Sequence, residues 1–209
     1  MRKRGRSFPP GVVYYMQKGE NAPVIDLRRK ERNALQVLEF AVLDGIRSVL
    51  RCDLMDVLMT AVSAICNHGE VWILLAAVLL CFKKTRRAGI TVAVALALDL
   101  IVCNGILKPL FDRVRPCVIN PTAGLLTACP TDASFPSGHA ASSFAAVSAL
   151  RAAGSLLWLP GLVLAGLIAF SRLYLYVHWP TDIVGGIFLG WVLGYAARAL
   201  VRKAEGLRR

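Results

Sequence analysis

Acidic residues are scarce: 13 Asp and Glu stand against 25 Lys and Arg among 209 residues, a formal net charge of +12. So few carboxylates leave no dense acidic cluster for a divalent cation. Charge of either sign is thin, at 18% of residues, while 56% are hydrophobic, which is too apolar for an ordinary soluble domain of this size. Six cysteines are present, but none are paired at the spacing of a metal site. The basic start MRKRGRSFPPGVVYYMQKG lacks a following apolar core and a small-residue cleavage site, which argues against a cleaved signal peptide. These absences point to an integral membrane protein. Its cations gather at the ends of apolar segments, where orientation in a bilayer is decided, so no nucleic-acid partner is expected.

Residues 1–33 carry nine Lys or Arg, three acids and three prolines, and read as a basic cytoplasmic tail. Residues 34–202 form the membrane domain, and 203–209 a second basic cytoplasmic tail. In 34–50, Leu35, Leu38, Val42 and Ile46 recur at helical spacing with Glu39, Asp44 and Arg47 elsewhere, which predicts a helix lying in the membrane interface. Apolar segments follow at about 54–67, 70–82, 88–107, 139–157, 159–176 and 183–201. Together they predict an all-α polytopic bundle of about six transmembrane helices. KKTRR at 83–87, Arg151 and RKAEGLRR alternate along the chain with NHGE, the 108–138 loop and HWPTD. The positive-inside rule makes the first set cytoplasmic and the second extracytoplasmic, with both termini cytoplasmic. Lys108, Arg113 and Arg115 break that rule, and a functional site explains the breach better than a different topology does.

The stretch SRLYLYVHWPTD sets Ser171, Arg172, His178 and Asp182 at the end of an apolar run. Arginine offers a planar fork of donors for phosphate oxygens. A histidine with a carboxylate four residues on has one ring nitrogen held and the other free to attack. Two further segments repeat the theme: KPLFDRVRP, with Lys108, Arg115 and Pro116, and SFPSGH, with Pro136, Ser137, Gly138 and His139. Lys108 and Arg115 share a face if one helix spans both. Gly138 allows close backbone approach, and the helix after it points free N–H groups at an anion. Ser137 adds a hydroxyl, or simply caps that helix.

These three motifs match K-x6-RP, PSGH and SR-x5-H-x3-D without substitution, so the chain resembles the type 2 phosphatidic acid phosphatase (PAP2) family over about residues 53–202. The resemblance implies a membrane lipid phosphatase that needs no metal and no other cofactor. His178 attacks phosphorus, Asp182 orients it, and His139 protonates the leaving oxygen. Lys108, Arg115, Ser137, Gly138 and Arg172 hold the phosphate. A polyprenyl diphosphate, undecaprenyl diphosphate in particular, is the substrate expected by analogy, with phosphatidate or phosphatidylglycerophosphate as the alternative. A vanadate-dependent haloperoxidase uses a similar pocket but is soluble, and a non-catalytic lipid-binding or transport protein has no need of both histidines and Asp182.

Asn104, four residues before Lys108, is on the right face to line the pocket, and Arg113 and Glu70 are possible contributors. Asp99, nine residues before Lys108, is half a turn out of phase and should point away. Cys66, Cys81 and Cys103 lie in apolar runs as buried thiols. Cys117 and Cys129 share one polar loop and are expected to pair.

Overall fold

The computed structural model describes residues 34–67, 69–121 and 123–207. The tail expected at 1–33, His68 and the last two residues lie outside them. The described residues are helical, with no strand among them: α1 (Ala34–Leu50), α2 (Asp53–Ala64), α3 (Glu70–Cys81) and α4 (Arg86–Asp99) come first. α4 runs into a π-helical segment, Leu100–Leu107, and then α5 (Lys108–Phe111). α6 (Pro116–Ile119), α7 (Gly138–Ala152), α8 (Trp158–Tyr174) and α9 (Pro180–Gly206) complete the chain. α9 continues through Gly206, so residues 203–206 extend the last helix instead of forming a separate tail.

α7 occupies the centre, and every residue from Ala140 to Leu150 is buried. Its sequence is almost all Ala and Ser there, which lets neighbouring helices approach closely. α9 meets it with Gly186, Gly190 and Gly194, one stripe at four-residue spacing. A methyl group on Gly190 would stand 2.5 Å from Ala141 O and 2.7 Å from Ala145 N. Ser148 Oγ closes the same seam by donating to Gly190 O at 3.0 Å. Gly190→Ala is therefore expected to destabilise the protein by about 2–3 kcal/mol, since neither backbone can yield. Gly166→Ala on α8, where nothing lies within 4 Å, should have almost no effect. Thermal unfolding of both variants in detergent checks this.

Arg87 on α4 pairs with Glu205 on α9 at 3.2 Å, and Arg151 at the end of α7 lies over the Trp158 and Trp191 rings. The 83–87 connection, the α7–α8 connection and the chain's end thus share one end of the bundle, and the three motifs gather at the other. Two helical stretches, Arg86–Ile119 and Pro180–Gly206, are long and apolar enough to cross a bilayer, while Glu70–Cys81 and Trp158–Tyr174 are shorter apolar helices. The segment expected as the first crossing, 54–67, behaves differently. Its helix α2 has 12 residues, about 18 Å of rise against a hydrocarbon core of about 30 Å. It is tied to the site end of α8 twice: Tyr174 Oη donates to Asp56 Oδ1 at 2.5 Å, and Arg172 Nη1 donates to Ser63 Oγ. α2 is therefore held at that end.

α1 is also at the site end. Its buried face is Glu39, Phe40, Leu43 and Arg47, whereas Leu35, Leu38 and Val42 are exposed. Glu39 and Arg47, which the helical spacing set apart from the apolar stripe, are turned into the protein. Arg47 donates to Ala123 O and Gly124 O, Tyr176 Oη donates to Asp44 Oδ1 at 2.9 Å, and Phe40 meets the Trp179 ring edge-on at 4.8 Å.

Cys117 and Cys129 are disulfide-bonded, with Cα atoms 5.9 Å apart. Cys66 and Cys103 are free and buried. Cys81 is exposed, contrary to expectation, because it closes α3 on the helix's outer side and turns its thiol back to Ala77 O.

Candidate active site

Lys108 and Arg115 converge, but not along one helix. α5 ends at Phe111, and Asp112 takes a left-handed conformation (φ 38°) that turns the chain, so Arg115 caps α6 with Pro116 in its first turn. The meeting point is Asp132: Arg115 Nη2 donates to Oδ1 at 2.8 Å, and Lys108 Nζ bonds Oδ2. Arg115 Nε adds a bond to Asp132 O at 2.9 Å. Burial alone would raise the Asp132 carboxyl, but its bond to Lys108 and the charge of Arg115 outweigh it and hold it down at about 2. Asp132 is half exposed, and its carboxylate binds the two cations as a phosphate's oxygens would.

His178 lies between α8 and α9 and is 1% exposed. Its Nδ1 stands 3.4 Å from Asp182 Oδ2, and its Nε2 3.0 Å from Arg115 Nη1. That arrangement favours the tautomer with the proton on Nδ1 and the lone pair of Nε2 facing the cations. Burial lowers the His178 pKa to about 3 against the opposing bond to Asp182, with the charge of Arg115 adding to the drop. At neutral pH the ring is therefore uncharged. Asp182 also accepts from Trp179 N at 2.8 Å, closing the first turn of α9, so it caps the helix and orients the histidine together.

Ser137 caps α7 by accepting from Ala140 N at 3.4 Å, leaving Gly138 and His139 at the helix's positive end. A Cβ on Gly138 would lie 3.6 Å from Asn104 Oδ1 and 3.7 Å from Lys108 Nζ, which shows how closely these groups crowd. His139 Nε2 is buried and has no hydrogen-bond partner among the described residues.

One cavity of about 780 Å³ joins these groups. Asn104, Lys108, Arg115, Gly138, His139, Arg172 and His178 line it, as expected from the sequence. Ser137 and Asp182 stand behind that lining as the cap and the orienting carboxylate. Glu70 is exposed and does not line the cavity, because α3 presents Gly69 and Ile73 instead. Arg113 does not line it either, since its guanidinium is held by Asp182, Thr181 and Glu39. Asp99 does line it, contrary to expectation. The π-helical segment between Asp99 and Lys108 advances fewer degrees per residue than an α-helix, so nine residues no longer end half a turn apart. Asp132, Ser63, Ser134 and Glu39 were missed. Only Asp132 carried a signal, as the one acid between Pro116 and the PSGH turn. Among the described residues, no three His, Cys, Asp or Glu side chains converge to hold a metal ion.

The model of the PAP2 superfamily matches residues 88–205, which include Lys108, Arg115, the PSGH turn, Arg172, His178 and Asp182. This chain belongs to the PAP2 superfamily. It is 42% identical over 125 residues to an undecaprenyl-diphosphatase of Sulfolobus acidocaldarius, the match spanning 58% of this chain and 60% of that protein. It is 38% identical over 140 residues to the putative undecaprenyl-diphosphatase YbjG of Escherichia coli, spanning 64% and 67%. Its fold matches the transmembrane PAP2-type phosphatidylglycerolphosphate phosphatase of Bacillus subtilis, with a TM-score of 0.67 at 23% identity over 85% of this chain and 90% of that one. The PAP2 fold accounts for the shared architecture: a central helix begun by Gly138 and His139, flanked by the helices that carry Arg172 and Asp182.

Proposed function

We propose that this protein is a membrane phosphatase that hydrolyses undecaprenyl diphosphate, or a closely similar polyprenyl diphosphate, through a phosphohistidine on His178. The observation that carries this reading is the pairing of an uncharged His178, backed by Asp182, with Lys108, Arg115 and Arg172 around a single cavity. The terminal phosphate enters between the cations and displaces Asp132 from them. Nε2 of His178 bonds to phosphorus as the bond from phosphorus to the leaving oxygen breaks, and His139, protonated when the anionic substrate binds beside it, gives its proton to that oxygen. Water then attacks the phosphohistidine, His139 takes its proton, and inorganic phosphate leaves. Ile73, Leu96 and Leu100 also line the cavity, which suits a lipid whose tail stays in the bilayer. The positive-inside pattern supports an extracytoplasmic site, and the names of the two relatives support the diphosphate.

Purified protein in detergent is expected to release phosphate from a polyprenyl diphosphate faster than from phosphatidate or phosphatidylglycerophosphate, without added metal. EDTA should leave the rate unchanged, and vanadate should inhibit by taking the place of five-coordinate phosphorus. Loss of activity on chelation, restored by a divalent ion, contradicts the metal-free chemistry. A preference for the glycerolipids overturns the choice of substrate alone.

A further inference from the structure

Asp182 serves His178 only while its negative charge remains directed at the ring, yet other groups hold the same carboxylate. Oδ2 faces His178 Nδ1 and accepts from Trp179 N and Ser134 Oγ, while Oδ1 accepts from Arg113 Nη1 at 2.6 Å. A guanidinium at that distance competes with a cationic imidazole for the carboxylate. Arg113 is itself balanced. Glu39 of α1, 2% exposed, accepts from Arg113 Nη2 at 2.6 Å through Oε2, and through Oε1 from Thr181 Oγ1 at 2.5 Å and Thr181 N at 3.3 Å. Thr181 Oγ1 also accepts from Arg113 Nη1 at 2.6 Å. The network thus joins two buried carboxylates to one guanidinium. α1 holds its end in place through Arg47, Asp44 and Phe40.

We propose that Arg113 and Glu39 are positioning residues for the phosphoryl-transfer step. Arg113 fixes where the Asp182 carboxylate sits, and Glu39 neutralises Arg113 so that Asp182 keeps its charge for His178. The need is greatest when Nε2 has bonded to phosphorus, because the ring is then a cation whose Nδ1–H must be matched by a full negative charge. Glu39 lies outside the matched residues 88–205, so α1 brings to the site a group from beyond the family's shared segment. The proposal rests on the assignment of His178 and Asp182 made above.

The test uses the full chain in detergent, with polyprenyl diphosphate as substrate and inorganic phosphate as a probe of the anion clamp. Glu39→Gln keeps the size and an acceptor oxygen but removes the charge. Its kcat should fall by about ten- to a hundred-fold, the scale of a small misplacement of reacting groups. KM and inhibition by phosphate should stay as in the parent, and Glu39→Asp should recover most of the loss. Adding Arg113→Gln to Glu39→Gln should cost no further activity, because the charge that Glu39 balances is gone. A parent-like kcat for Glu39→Gln overturns the proposal. So does a fall in kcat matched by weaker phosphate inhibition, and so do losses that multiply in the double variant. His178→Ala in the same assay separates the two readings. An active His178→Ala removes the assignment on which the proposal stands, whereas an inactive His178→Ala beside a fully active Glu39→Gln removes the proposal alone.

Discussion

His178→Ala is expected to abolish turnover of every lipid phosphate, by a factor on the order of 10⁶, the scale seen when a covalent nucleophile is removed from a preorganised site. The size follows from the geometry. Nε2 faces Arg115 at 3.0 Å inside the cavity, and the substitution removes this nitrogen while the cations that bind phosphate remain. Substrate should therefore still bind, and inhibition by inorganic phosphate should persist. The buried ring also sets the pH dependence. A group with a pKa lowered to about 3 is uncharged at any higher pH, so protonation of His178 should produce no acid limb in kcat/KM between about pH 5 and 8. A limb near the ordinary histidine value would mean that His178 is solvated and differently placed.

His139→Ala should fail in a different way. Its Nε2 is buried with no hydrogen-bond partner among the described residues, and the residue lines the same cavity at the start of α7, as suits a group that meets the leaving oxygen only when substrate is present. Removing a general acid costs about 10²- to 10⁴-fold, and most when the leaving group is a poor one. An alkoxide leaving from a lipid monophosphate needs that proton, whereas a phosphate leaving from a diphosphate needs it less. The variant should retain a larger fraction of the parent's activity on a diphosphate lipid than on a monophosphate lipid, while His178→Ala loses both. Equal proportional losses on the two substrates would assign His139 to phosphate binding.

The residues that line the cavity were legible because each motif is contiguous and sits at the end of an apolar run. Lys108, Arg115, Gly138, His139, Arg172 and His178 all meet at one cavity. What supports them was not legible, because it depends on long-range pairing. Glu39 and Arg47 read only as residues off the apolar stripe of an interfacial helix, yet both are buried, and their partners lie 74 and 76 residues away. Asp99 was assigned the wrong face because spacing rules assume 3.6 residues per turn, and the segment before Lys108 is π-helical. The convergence of Lys108 and Arg115 was expected for the wrong reason: the left-handed turn at Asp112, not helical periodicity, brings them together on Asp132. The apolar segment 54–67 was read from composition alone. Its hydrogen bonds to Tyr174 and Arg172, which keep it at the site end, could not be read from hydropathy.

The measurement that bears most directly on the mechanism is rapid quenching of the enzyme during turnover of a polyprenyl diphosphate, under alkaline conditions that preserve a phosphorus–nitrogen bond, followed by mass mapping of the peptide that contains Ser171–Asp182. The mechanism predicts one acid-labile phosphoryl group on His178, formed before phosphate is released and absent from His178→Ala. Phosphate release at the full rate with this peptide unmodified at every quench time would contradict it, because water would then be attacking the substrate directly.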